Sequence, residues 1–86
     1  MLIVSFKPSF LKKVSKLEKE LQEEVAEKVS RVKDPKNHTV LKVHKLHGKF
    51  SGRISFSVNY KVRIVFVYES KKEIVLLDID DHDIYK

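Results

Sequence analysis

An arginine in a row of valines is the first residue of this sequence that could do chemistry. Arg63 stands in Val62-Arg-Ile-Val-Phe-Val-Tyr68, where alternation places Arg63, Val65 and Val67 on one face of a strand and Val62, Ile64, Phe66 and Tyr68 on the other. Apolar residues on both faces mark a central strand. A guanidinium fixed there offers planar, permanently charged donors matched to a phosphate. The alternative role is an ion pair with an acid of the next strand, Asp78 or Asp80. His82 lies between Asp81 and Asp83. Those charges favour the imidazolium, the form a general acid needs, although a histidine there also reads as a plain surface residue. Tyr85 suits either stacking on a base or packing on the sheet. His44, Lys45, His47, Lys49 and Arg53 surround a glycine turn, Gly48 to Gly52, where they read as solvated surface or as groups that hold a phosphate and supply a base.

The charge distribution favours an anionic partner. Residues 35–63 carry seven Lys/Arg (Lys36, Lys42, Lys45, Lys49, Arg53, Lys61, Arg63), three histidines and no acid, within a chain of net charge +6. Residues 1–34 are nearly balanced, and residues 64–86 are acidic. An uncompensated basic third fits a polyanion such as RNA or DNA, with Lys42, Lys45, His47, Lys49, Arg53 and Lys61 as backbone contacts. Other chemistries lack their residues. There is no cysteine for a disulfide, a thiolate nucleophile or a cysteine zinc site. The spacing of Asp78, Asp80, Asp81, His82 and Asp83 matches neither a calcium loop nor a zinc helix, and no phosphate-cradling glycine loop or nucleophile elbow occurs, so no metal and no cofactor is expected. The apolar start, Met1 to Phe10, is too short for a signal-peptide core or a membrane span, which leaves a cytoplasmic protein with no membrane partner as the expectation.

The elements that must position these groups follow from pattern. At 86 residues the chain is expected to form one domain over residues 1–86. Leu2 to Phe6 reads as a strand closed by Lys7-Pro8. From Phe10, apolar residues at Leu11, Val14, Leu17, Leu21, Val25, Val29 and Val32 keep helical spacing up to Asp34-Pro35. One helix that long would overhang a small sheet, so two helices with a break near Glu20 to Glu23 are predicted. Strands follow at Val40 to Leu46, Ile54 to Val58, Val62 to Tyr68 and from Ile74 onward, with turns at Asn59-Tyr-Lys61 and Glu69 to Lys72. The fold class is α+β: an N-terminal strand, a two-helix hairpin, then a three- to four-stranded, mainly antiparallel sheet with the helices on one face and the other face open to a ligand.

The run His44-Lys-Leu-His-Gly-Lys-Phe-Ser-Gly-Arg53, the strand ending at Arg63-Ile-Val-Phe66 and the tail Leu77-Asp-Ile-Asp-Asp-His-Asp-Ile-Tyr85 together resemble the second half of RelE/ParE superfamily toxins. The histidine-containing turn and terminal His82 place the resemblance nearer the RelE and YafQ messenger-RNA interferases than the gyrase-inhibiting ParE branch. The resemblance implies a metal-independent endoribonuclease that cuts messenger RNA in the ribosomal A site, against 16S rRNA, and is restrained by a cognate antitoxin. It assigns Arg63 to phosphate stabilisation, His82 to acid or base work, His44 to the histidine before the turn and Tyr85 to the C-terminal aromatic. Tyr85 follows His82 by three residues where many relatives have four, and the strand before Arg63 lacks a histidine that one relative uses. A ParE-like gyrase inhibitor and a non-catalytic antitoxin-binding relative are the alternatives.

Overall fold

The computed structural model describes residues 1–81, as a five-stranded sheet in the order β1-β5-β4-β3-β2 with two helices over one face. β1 (Ile3–Phe6) is followed by α1 (Pro8–Ser15), which begins on the proline, whose missing N–H costs nothing in a first helical turn. α1 stops at Lys16, whose N–H turns back to the Lys13 carbonyl at 3.1 Å. The break therefore falls at Lys16–Glu18, earlier than the predicted Glu20 to Glu23. The cause is a side chain: Gln22 Nε2 donates to the carbonyls of Val14, Ser15 and Leu17 at 3.0, 3.3 and 3.0 Å, and so satisfies the end of α1 from within the next helix. Gln22 belongs to α2 (Lys19–Val32), which buries Val25, Val29 and Val32.

The segment after α2 corrects a second expectation. A 3₁₀ turn at Pro35–Asn37, capped by Asp34 Oδ1 accepting from the Lys36 N–H, leads into consecutive turns, and Lys42 adopts φ +56°. Of the predicted strand Val40 to Leu46, His44–Lys45 alone pairs, as β2. Leu41 is instead a core plug, 2% exposed, while Val40 faces solvent. β-Propensity registered the valines but not their separate destinations.

β3 (Ile54–Ser57), β4 (Val62–Ser70) and β5 (Glu73–Asp81) form an antiparallel meander, and β1 joins the outer side of β5 in parallel. The expected four strands after the helices are thus completed to five by the first. Phe56 and Phe66, rings 5.8 Å apart, sit with Ile64, Ile74, Leu76 and Ile79 beneath Phe10, Val25, Val29 and Val32. Leu76 and Ile79 both enter this core although they are three residues apart. A bulge allows it: Val65 faces Asp78 and Phe66 faces Leu76, leaving Leu77 extra. The bulge turns Asp78 and Asp80 to the face away from the core.

Candidate functional site

Register assembles that face. Cα partners run Ser57, Arg63, Asp80 across β3, β4 and β5, and His44, Ser55, Val65, Asp78 across β2 to β5. Arg63 is half-buried, one residue into the middle strand, and its Nη1 is buried. It stands directly across from Asp80. Asp80 and its neighbour Asp78 also have a second cation, which sequence could not show. Lys13 of α1 bonds Asp78 Oδ1 at 2.8 Å and Asp80 Oδ2 at 3.2 Å, beyond Leu76, the last residue of β5 that β1 covers. The hydrogen bond that Lys13 donates to Asp78, assisted by Asp80 and opposed by partial burial, raises the Lys13 pKa above its ordinary 10.5. The two acids therefore have a cation of their own.

Arg63 opens into a cleft of about 540 Å³, whose lining includes Lys28 and Arg31 of α2, Lys42, Ser57 and Tyr60, with Glu24 among them. Lys28 and Arg31 meet Glu27 at 3.1 and 3.8 Å, and the Lys28 hydrogen bond is the first cause lowering the Glu27 carboxyl below its usual 4.5. Lys28, Arg31 and Tyr60 were not among the residues singled out from sequence. On paper Lys28 and Arg31 are two cations on a polar helix face, and nothing in the spacing shows that the face overhangs Arg63.

The other expected site residues divide into groups. Lys45, His47 and Arg53 line a smaller depression of about 370 Å³ with Ser51 and Gly52. Its bend needs Gly48 at φ +69° and Gly52 at φ +90°, backbone that side chains oppose. Lys49 lies exposed in the same turn. Lys61 lines a third cleft, of about 640 Å³, where Lys13, Lys16, Glu18, Glu20 and Asp80 mix the charges. His44 is exposed two strands from Arg63, on the same face but in the neighbouring row, its partner Ser55 lying two residues from Arg63's partner Ser57. Its Nδ1 is 2.9 Å from the Lys42 carbonyl, which can only accept, so Nδ1 donates and Nε2 is the ring nitrogen left to face a ligand. His82 and Tyr85 lie outside the described residues. The face is not uniformly open as expected: Ser55 and Val65 are fully buried, and Ser55 Oγ has no hydrogen-bond partner among the described residues. Among the same residues, no group of three or more His, Asp or Glu is placed to hold a metal ion.

A mixed sheet with parallel β1 beside β5, a helix pair on one face and a central-strand arginine opening into a basic cleft defines a small α+β class. No protein-family model matches the sequence, and no curated protein matches it. Solved structures do. The archaeal RelE–RelB complex of Pyrococcus horikoshii is similar with a TM-score of 0.73 at 19% identity over 93% of each chain. YafQ of Escherichia coli reaches 0.73 at 13% identity, over 98% of this chain and 97% of its own. The RelBE2 toxin–antitoxin complex of Mycobacterium tuberculosis reaches 0.72 at 17%, over 94% and 98%. The fold of this chain is the one that these solved structures share.

Proposed function

We propose that this chain is the toxin of a type II toxin–antitoxin pair and a ribosome-dependent endoribonuclease acting on messenger RNA. The observation that carries the reading is Arg63, a guanidinium on the central strand of a RelE-type fold, at the floor of a cleft rich in Lys and Arg. Cleavage needs attack by a ribose 2′-hydroxyl on its neighbouring phosphate, a base for that proton, positive charge for the phosphorane and an acid for the departing 5′-oxygen. Arg63 takes the phosphorane, since two parallel N–H donors match two phosphate oxygens. His44 is the base through Nε2, with its Nδ1 fixed by the Lys42 carbonyl. The two backbones lie in neighbouring rows of one face, two strands and two residues apart, ~12 Å, so that both side chains can reach a group lying between Ser55 and Ser57. His82 is the acid, Tyr85 a base contact, and Lys42, Lys45, His47, Lys49, Arg53 and Lys61 hold the messenger or ribosomal RNA backbone. No step requires a metal or cofactor. The chain is cytoplasmic in this reading; none of its described helices is long and apolar enough to cross a membrane.

A cognate antitoxin is the proposed partner, in line with similar structures that are toxin–antitoxin complexes. Primer extension on a defined message incubated with translating ribosomes and the purified protein tests the reading. Cuts positioned on codons support it. An intact message with inhibited gyrase supercoiling would move the chain to the ParE manner of action, and an intact message with active gyrase to a non-catalytic antitoxin-binding role.

A further inference from the structure

The β3–β4 hairpin holds Tyr60 out in solvent on a stiff support. Tyr60 is 93% exposed. Asn59 Oδ1 accepts from the N–H groups of Lys61 and Val62, both at 2.8 Å, and the Val58 N–H donates to the Val62 carbonyl at 2.9 Å. Asn59 Nδ2 also reaches Glu24 of α2 at 3.5 Å. The tip is therefore tied to itself and to the helix layer, and the ring is presented from a fixed backbone. A lone exposed aromatic is ordinary on a protein surface. Its neighbourhood is what distinguishes this one. Tyr60 lines two clefts of different character: one sets Lys28, Arg31, Lys42 and Arg63 against Glu24, the other mixes Lys13, Lys16 and Lys61 with Glu18, Glu20, Glu24 and Asp80. A polyanion approaching Tyr60 meets net positive charge on the Arg63 side and near balance on the other, so it is drawn to the Arg63 side.

We propose that Tyr60 is a base-stacking residue for single-stranded RNA: one nucleobase lies on its ring while the adjoining phosphates occupy the cleft of Lys28, Arg31 and Lys42. This rests on the ribonuclease reading and places a nucleotide beside the scissile phosphate held by Arg63. A rigid aromatic flanked by cations is the arrangement that binds unpaired nucleic acid without reading its sequence, because every base has a face to stack. Glu27 occupies Lys28 and Arg31 in the free protein, but through exposed ion pairs that a phosphate backbone displaces readily. Sequence selection then falls to other groups, and Tyr60 contributes affinity.

The chain contains no tryptophan, so Tyr60→Trp installs a single reporter at the tip. The full chain is titrated with a mixed-sequence 2′-O-methyl decanucleotide, which cannot be cut. The emission of the introduced indole is expected to be quenched in step with the anisotropy of a labelled oligonucleotide. Tyr60→Ala is expected to weaken that oligonucleotide about tenfold or more, with Tyr60→Phe within about twofold of the parent. Indole emission that stays silent at saturating oligonucleotide, or equal affinity for the Ala variant and the parent, overturns the proposal. So does emission that responds to purified antitoxin but not to RNA, which would make Tyr60 a protein contact. Failure of the ribonuclease reading is separable: quenching by RNA from a protein that never cuts a translated message sinks that reading and leaves the stacking site standing.

Discussion

Replacing Arg63 separates a phosphate-binding arginine from a structural one, because the structure gives different magnitudes for the two losses. If Arg63 faces the phosphorane, Arg63→Ala removes a preorganised donor, which costs about 10²–10³ in rate, or about 2.7–4 kcal/mol. The fold should lose far less. Arg63 stands opposite Asp80, whose side chain is 33% exposed and is also held by Lys13 at 3.2 Å, as Asp78 is at 2.8 Å, so the loss of the guanidinium leaves neither acid buried without a cation. The loss to the fold is then that of a half-buried stem and of contacts made by a guanidinium whose neighbouring acids keep Lys13, ~1 kcal/mol, and a fall in Tm of about 4–8 °C for a chain of this size. Arg63→Lys keeps the charge and loses the fork, so its rate should lie between the two. The assay is message cleavage per molecule of protein in a reconstituted translation mixture, with thermal denaturation of each variant alongside. A folded Arg63→Ala protein that cuts within tenfold of the parent refutes the phosphate role. A variant that unfolds refutes the inference that Lys13 satisfies the two acids, and makes Arg63 a structural partner of Asp80.

Three further outcomes follow from other parts of the fold. Ser55→Ala removes a fully buried hydroxyl that has no partner among the described residues, and should raise stability by up to about 1 kcal/mol; a fall of several degrees in Tm would mean that the hydroxyl is satisfied. Lys13→Met should cost under about 1 kcal/mol, because the pair is half exposed. Its raised pKa fixes the pH dependence: the contribution is fully present below 10.5 and disappears as pH climbs through the higher folded value, so parent and variant converge in alkali during urea titrations. A gap that persists well above that pH would show that the lysine acts by packing. Gly52→Ala forces a side chain to φ +90°, with nothing among the described residues within 4 Å of the new methyl group. The loss should be purely conformational, about 1–2 kcal/mol, seen as a lower denaturation midpoint at unchanged slope. An unaltered midpoint would mean that the turn relaxes.

Legibility in the sequence followed the range of the interaction. Arg63 stood out because alternation is a local rule and a charge in a valine row violates it. The helical run, the glycine turn and the Asn59 hairpin were readable for the same reason. The helix break was misplaced because it depends on Gln22 reaching back to three carbonyls, a contact that no propensity encodes. Val40 to Leu46 read as a strand because Leu41 and Val43 are apolar, whereas the structure uses Leu41 as a plug. The orientation of Asp78 and Asp80 hangs on the extra residue at Leu77, since strict alternation from buried Leu76 would have sent both acids into the core. Lys28 and Arg31 belong to α2, far in sequence from Tyr60 and Arg63, and their shared cleft exists only once α2 lies beside the β3–β4 hairpin.

The parallel pairing of β1 with β5 sets an order on the making of this protein. Residues 3–6 find their partners in residues 73–76, and Phe10 is covered by the same sheet. As the chain leaves the ribosome, the first strand and both helices emerge without the strand that completes their layer, and a contact so distant in sequence forms late. β4 likewise lacks one neighbour until β5 has cleared the exit tunnel, so the Arg63 face is assembled only with the last described strand. A nascent copy therefore has no finished Arg63 face, and whatever chemistry that face performs waits for the release of the whole domain.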